Sequence, residues 1–212
     1  MRRRASRPQL KRDPLDSTAA KGLTLTTTGQ AQDGDWLRLD ELTNAIDNLE
    51  MCSHFLRSLP HPIRWKWAIL ALHQTIYGFA ICAVKGTDDG SVLEQPKGAK
   101  EPRLISIWEA IKRANDPRFL WPGATPLQVT QEEKQALQKL LAEFRNGFEH
   151  FQPAGWSIEL SGMPSLFRTA VGLVRRLAID QGSVRYYSTE DRDRVSSAIA
   201  QLDGLVAHGS AA

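Results

Sequence analysis

An arginine, an asparagine and a histidine near residue 150 carry the side chains best suited to chemistry in this chain. Arg145 and Asn146 are adjacent, and His150 follows four residues after the asparagine. An imidazole has an ordinary pKa of about 6.5, so it can accept or donate a proton at neutral pH. A guanidinium presents a planar fork of donors that fits phosphoryl oxygens. Together these residue types favour a site that handles a phosphate-containing ligand.

A helix must position these three side chains. Thr130 is a good N-cap, and Glu133 three residues later completes a capping box. The apolar stripe that follows at helical spacing comprises Leu137, Leu140, Leu141, Phe144, Phe148 and Phe151. At about 100° per residue, Arg145 lies roughly 90°, Asn146 roughly 170° and His150 roughly 130° from the centre of that stripe. The wheel therefore predicts that all three side chains face solvent or a partner.

The segment from Arg145 to His150 has the form arginine, polar residue, three further residues, histidine. It resembles the signature of the HEPN superfamily (higher eukaryotes and prokaryotes nucleotide-binding domains), in which the motif also lies late in a core helix. The continuation over residues 151–160, FQPAGWSIEL, is similar to that of an uncharacterised bacterial HEPN-like group. The resemblance covers about residues 36–180.

The resemblance implies a helical bundle that forms a homodimer in which two motifs face each other. It also implies metal-independent endoribonuclease activity, in a toxin or phage-defence effector, with RNA or a nucleotide as ligand and an antitoxin protein as a further partner. By analogy, His150 would deprotonate the ribose 2′-hydroxyl or protonate the leaving oxygen. Arg145 would stabilise charge on the phosphate, and Asn146 would orient a phosphate oxygen. No cofactor or metal is implied.

Two other interpretations stay open. Arg145 and His150 are separated by about 140° and about 7.5 Å along an ideal helix, so one motif converges poorly on one phosphate unless a dimer brings two together. A non-catalytic HEPN-type module would use the same residues to bind a nucleotide, RNA or a protein. In a helical interaction protein, Arg145 would merely pair with Glu149 or Glu143.

Three nearby residues bear on these alternatives. Glu109, on the preceding helix, is a candidate auxiliary residue that would orient His150. Gly147 costs a helix about 1 kcal/mol relative to alanine, which indicates either a close backbone approach or a weak point. His73 lies four residues before Tyr77 on an apolar helix, and we expect it to be a core histidine with its hydrogen bonds satisfied.

Charge is distributed unevenly along the 212 residues. The first 12 residues carry six cations and no acid, so the formal charge of +3 for the whole chain leaves −3 for the other 200 residues. A mildly acidic body does not bind nucleic acid through its overall field, so contact must come from a local site or from the tail. We expect residues 1–35 to be a disordered tail, with a phosphate-binding arm as the alternative. The candidate nucleic-acid contacts of the tail are Arg2, Arg3, Arg4, Arg7, Lys11 and Arg12.

Helical periodicity dominates residues 36–208 and predicts one all-α domain. We expect an antiparallel up-and-down bundle of four to five core helices plus a C-terminal helix, with an exposed loop at 86–103. Besides the helix that carries Arg145, five helices are predicted. One of about 18 residues ends before Pro60, and an apolar central one runs from Arg64 to Lys85. A third runs from Ile105 to Asn115 with Ile107, Trp108 and Ile111 inward, and two more lie near 163–179 and 190–208. A short extended run is predicted at 156–160.

The remaining signals concern compartment and enzyme class. Cys52 and Cys82 lie within apolar helical patterns and lack metal-site spacing, which favours two buried thiols in a reducing compartment. With no secretory signal and no spanning segment predicted, we expect a cytoplasmic protein without a membrane partner. The sequence contains no Walker loop, dinucleotide-binding glycine motif, HExxH or Ser/His/Asp signature, which excludes most standard enzyme classes.

Overall fold

The computed structural model describes residues 37, 39–86, 89–150 and 155–208. The chain divides into two units, Met1–Leu37 and Arg38–Ala212. The first unit lies almost wholly outside the described residues, and with it the predicted tail and its six cations. Residues 151–154, directly after the Arg145–His150 segment, also lie outside them. All the elements below belong to the second unit.

Helices dominate the described residues, and the predicted all-α fold class is confirmed. The up-and-down order of the bundle stays a prediction. The helices are α1 (Glu41–Ser58), α2 (Arg64–Val84), α3 (Ile107–Ala114), α4 (Gln131–Leu137, continuing through Gln138–Arg145 and Asn146–Glu149), α5 (Met163–Arg175, continuing through Arg176–Asp180) and α6 (Thr189–His208). Two short 3₁₀ turns are found at Asp89–Val92 and Pro117–Phe119.

α2 lies at the centre of the bundle, as its apolar sequence predicts. It packs against α1, α3, α4 and α5. At Gly78 the helix comes close to α1, because an added Cβ there would lie 2.7 Å from the Cβ of Ala45. On another face, the rings of Trp65 and Phe167 meet edge to face at 5.3 Å, which joins α2 to α5. Most of the elements that position the Arg145–His150 segment therefore rest on α2.

α2 is also long and apolar enough to cross a membrane, and it is the one such helix among the residues that the structure describes. However, 67% of the apolar 18-residue stretch within this helix is buried inside the bundle. Helices of this kind are typical of the core of a soluble protein.

The region between α2 and α4 departs from prediction in two respects. The predicted loop contains a short antiparallel ladder, β1 (Leu93–Glu94) with β2 (Arg103–Leu104). The prediction that Trp108 faces inward is wrong, because its side chain is 41% exposed. α3 begins at Ile107 rather than at Ile105, and the face it buries carries Ala110, Ile111 and Ala114.

The two cysteines are free thiols. Cys52 is fully buried and donates its S–H to the carbonyl oxygen of Ala68 at 3.4 Å, as the prediction of a buried thiol requires. Cys82 is only partly buried. Burial, helped by the nearby Glu41 carboxylate, raises the pKa of the Cys82 thiol to about 12, so neither thiol is a reactive thiolate at neutral pH.

Candidate functional site

The helix that carries the candidate residues begins as the sequence predicts. The Thr130 hydroxyl accepts a hydrogen bond from the backbone N–H of Glu133 at 3.2 Å. The Glu133 carboxylate accepts one from the backbone N–H of Thr130 at 2.8 Å. This reciprocal capping box fixes the start of α4 and confirms the prediction.

The middle of α4 differs from an ideal helix. Residues Gln138–Arg145 form a π-helical segment, in which hydrogen bonds reach one residue further than in an α-helix. A wheel drawn at a constant 100° per residue is therefore wrong from this segment onward. The segment ends at Arg145, whose side chain is only 26% exposed and whose Nε is buried.

Arg145 is held by two neighbours on its own helix. Its Nη2 lies 2.6 Å from the Glu149 carboxylate, and its Nη1 donates a hydrogen bond to the Asn146 Oδ1 at 2.9 Å. The pairing with Glu149 is one that the sequence left open, and no pairing with Glu143 is found among the described residues. The arginine and the asparagine of the candidate site are thus in direct contact.

His150 lies immediately beyond the end of α4. Its backbone leaves helical geometry, with φ −109° and ψ 57°, while its N–H still donates to the Asn146 carbonyl oxygen at 2.8 Å. The imidazole is exposed and makes no hydrogen bond or ion pair to the part of the chain that the structure describes. His150 therefore shares the end of one helix with Arg145 and Asn146 but does not contact the guanidinium.

Trp156 covers the back of this helix end. An added Cβ on Gly147 would lie 2.5 Å from the Cη2 of the Trp156 ring, so the glycine permits a close approach, one of the two alternatives that the sequence left open. The ring also packs 5.2 Å from Phe148 and 6.3 Å from Phe144, yet the residue remains 43% exposed. The residues from 155 to 160 have no regular secondary structure, and the predicted extended run is not formed as a strand.

His73 is the residue that sequence reasoning missed. It is 8% exposed, as expected of a core histidine, but its Nδ1 has no hydrogen-bond partner among the described residues, so the expectation that its hydrogen bonds are satisfied is wrong at this atom. Burial, with a further contribution from the positive charge of Arg145, lowers the pKa of His73 to about 4, and the negative charge of Glu149 opposes this. The histidine therefore lies within the electric field of the candidate site. Its spacing to Tyr77 alone could not have revealed this.

Glu109 is placed away from the candidate site. Its carboxylate accepts hydrogen bonds from Arg113 at 3.1 Å and Lys112 at 3.3 Å, both on α3. The hydrogen bond from Arg113 holds the pKa of the Glu109 carboxyl below its ordinary value, although burial opposes this. No contact with His150 is formed, so the structure does not bring this auxiliary candidate to the histidine.

The donor set at the end of α4 suits an anion better than a metal ion. Arg145 and the Asn146 amide are hydrogen-bond donors, and the described residues contain no group of three or more His, Cys, Asp or Glu side chains placed to hold a metal. Comparison of the chain with protein-family models, with curated proteins and with solved structures yields no match.

Proposed function

We propose that this chain is a HEPN-type domain that acts as a metal-independent endoribonuclease. The observation that carries the proposal is the grouping of Arg145, Asn146 and His150 at the surface end of one helix in an all-α chain. Arginine and asparagine are in contact there, and the imidazole is exposed. A cation, an amide and a proton-exchanging group are the parts needed for RNA cleavage.

The proposed reaction uses the ribose of the substrate as the nucleophile. The 2′-oxygen attacks the adjacent phosphorus, the bond to the 5′-oxygen breaks, and the products carry a 2′,3′-cyclic phosphate and a 5′-hydroxyl. His150 exchanges the proton with the 2′-hydroxyl or with the leaving oxygen, because an exposed imidazole can do both near neutral pH. Arg145 stabilises the charge that develops on the phosphoryl oxygens.

The contact between Arg145 and Asn146 defines the part of the asparagine. Because its Oδ1 accepts from the guanidinium, the Asn146 Nδ2 is left with two N–H donors that point to no described acceptor. These donors would bind a phosphate oxygen beside the arginine. The asparagine would therefore both orient the guanidinium and hold the substrate.

A homodimer is part of the proposal. The single motif leaves the guanidinium and the imidazole apart, and a second motif across a two-fold axis would bring a histidine to the phosphate held by an arginine. A toxin or phage-defence effector in the cytoplasm, opposed by an antitoxin protein, is the setting that follows from a ribonuclease of this type. The mildly acidic body means that affinity for RNA arises at this local site or in the basic tail.

The ion pair between Arg145 and Glu149 favours a second candidate function. A guanidinium that is already neutralised attracts a phosphate less strongly, because the carboxylate competes for the same donors. A non-catalytic module that binds a nucleotide, RNA or a protein through this end of α4 would tolerate such a pair. The distinction between the two candidates is whether a bond in RNA is broken.

Cleavage of RNA in the presence of EDTA tests the proposal. The purified dimer should cut several structured and unstructured RNAs and leave 2′,3′-cyclic phosphate ends. An oligodeoxynucleotide of the same base sequence should remain intact, because the internal nucleophile, the 2′-hydroxyl, is missing. Binding of RNA without any cleavage would instead establish the second candidate, and a monomer with neither property would indicate a helical interaction protein.

A further inference from the structure

Two buried nitrogen atoms without partners lie between α2 and α4. The Nδ1 of His73, on α2, and the Nε of Arg145, at the end of the π-helical segment, are both inaccessible and make no hydrogen bond among the described residues. α2 packs directly against that segment. Buried polar atoms are normally paired, so each unpaired atom calls for a reason.

The surroundings of His73 leave few candidates for a partner. The Tyr77 ring lies 6.4 Å from the His73 ring, but the Tyr77 hydroxyl is committed to the carbonyl oxygen of Ile105 at 2.5 Å. Within the described part of the chain, the charged groups that act on His73 are Arg145 and Glu149, from the helix packed against it. These two are paired with each other at 2.6 Å, so neither is available to the histidine in this state.

We propose that His73 is a positioning residue of the site, and that it takes Glu149 from Arg145 when a phosphodiester binds the arginine. This deepens the proposed function and rests on it. In the exchange, the phosphodiester oxygens replace the Glu149 carboxylate on the guanidinium. One proton from solvent binds the Nδ1 of His73, and the resulting imidazolium pairs with the released carboxylate. Arg145 is thereby freed for substrate, and the released Glu149 carboxylate, which is 33% exposed, gains a new partner.

The direction in which pH changes the affinity for a phosphodiester follows from the charges near His73. A phosphodiester at Arg145 adds negative charge beside His73 and offsets the arginine's positive charge, so binding favours the protonated ring. By linkage, protonation of the ring favours binding to the same extent. Affinity for a phosphodiester should therefore rise as the pH falls from 7 toward the pKa of His73, and this rise should depend on His73 and Glu149.

Binding of a 2′-O-methyl oligouridylate tests the exchange, because this probe cannot be cleaved and does not itself titrate between pH 5 and pH 7. The protein used is His150→Ala, which removes the other imidazole of the candidate site. We expect about tenfold tighter binding at pH 5 than at pH 7, the change that corresponds to a rise of about two in the pKa of His73 from its value of about 4. Adding His73→Gln or Glu149→Gln should abolish most of this pH dependence. Two control substitutions in the same His150→Ala protein, His54→Gln on α1 and Glu143→Gln at an exposed position of α4, should leave the pH dependence of binding unchanged.

A measurement on the unaltered ring covers the case in which His73→Gln does not fold. Histidine NMR signals of the His150→Ala protein should show the pKa of His73 rising when the oligouridylate is bound. An unchanged His73 pKa in the bound protein, or equal pH dependence with and without His73, would overturn the inference while leaving RNA cleavage by the unaltered protein intact. Failure to bind the probe at either pH would overturn the inference together with the role given to Arg145.

Discussion

At the scale of single residues, Arg145 is the point where local pairing and function compete. Its guanidinium is shared between Asn146 and Glu149, and its Nε is buried. An exposed ion pair of this kind contributes at most about 1 kcal/mol, so it stabilises the helix end weakly and can be exchanged for a stronger anion. Below it, His73 is kept neutral at pH 7 by burial and by the arginine.

The buried His73 makes stability depend on pH in a definite direction. Its pKa is lowered from 6.5 to about 4 in the folded chain, so the unfolded chain binds the proton first as the pH falls. Folding stability contributed by the neutral ring is therefore present above pH 6.5 and is lost between pH 6.5 and pH 4. Between pH 7 and pH 4.5, the free energy of unfolding of His73→Gln should fall by about 1–3 kcal/mol less than that of the unaltered protein. Urea unfolding at the two pH values measures this difference.

His54 on α1 provides the control for this prediction. Its side chain is exposed, so His54→Gln should retain the pH dependence of the unaltered protein. If His73→Gln and His54→Gln lose the same stability on acidification as the unaltered protein, the buried ring does not titrate as described.

At the scale of elements, α4 and Trp156 together shape the candidate site. The helix starts at a capping box, changes to π geometry at Gln138 and ends beside the ring that covers Gly147. The π-helical segment packs against α2, and Arg145 at its end is only partly exposed while Asn146 remains exposed. The ring of Trp156 needs the glycine, because any side chain there would occupy the same space.

The contact between Gly147 and Trp156 predicts a change of sign in a double-mutant cycle. In the unaltered background, Gly147→Ala should destabilise the protein by about 1 kcal/mol, because the new Cβ displaces the ring from Phe148. In a Trp156→Ala background the same change should stabilise it by up to about 1 kcal/mol, the helix-propensity gain alone. Urea unfolding of the four proteins measures both values. An equal effect in the two backgrounds would show that ring and glycine are not in contact.

The elements were largely predictable because apolar periodicity and caps are local signals. α1 has the predicted length of 18 residues, and the helix at Arg64 ends at Val84, one residue before the predicted end. The π-helical segment was not predictable, since its sequence QKLLAEFR contains no glycine or proline to mark a departure from α geometry. The inward placement of Trp108 failed because the buried face of α3 is centred on Ala110, Ile111 and Ala114, and Trp108 lies roughly 110° from that centre.

The candidate site was predictable only in part. The surface positions of Asn146 and His150 followed from the apolar stripe of α4, and both side chains are exposed. The partial burial of Arg145 and the unpaired nitrogen of His73 both depend on packing between two helices far apart in sequence. Neither feature is encoded in the local pattern of residues.

At the scale of the whole molecule, apolar packing around α2 holds the bundle together. α6 closes the bundle against α1 through Arg194, which pairs with Glu50 at 2.7 Å and Asp47 at 3.2 Å. These groups are at least one-third exposed, so their contribution to stability is small beside that of the core.

Replacing two glycines inside helices tests separately how close packing and helix propensity affect stability. Gly78→Ala should destabilise the protein by about 1–3 kcal/mol, because its Cβ would lie 2.7 Å from the Ala45 Cβ and 3.2 Å from the Ala45 Cα. Gly172→Ala, with nothing within 4 Å of the new Cβ, should instead stabilise it by up to about 1 kcal/mol. Thermal unfolding of the two variants checks both signs, and a stabilising Gly78→Ala would show that α1 and α2 are further apart.

RNA cleavage in EDTA by His150→Ala, compared with the unaltered protein, tests most directly whether the end of α4 is a catalytic site. Both proteins should first be shown to share one thermal midpoint and one oligomeric state, as expected for a change at an exposed position. We predict a loss of about 10²- to 10⁴-fold in cleavage rate, the usual contribution of a general acid or base, with His54→Ala as active as the unaltered protein. Cleavage by His150→Ala at the unaltered rate would contradict the assignment of this histidine and of the site.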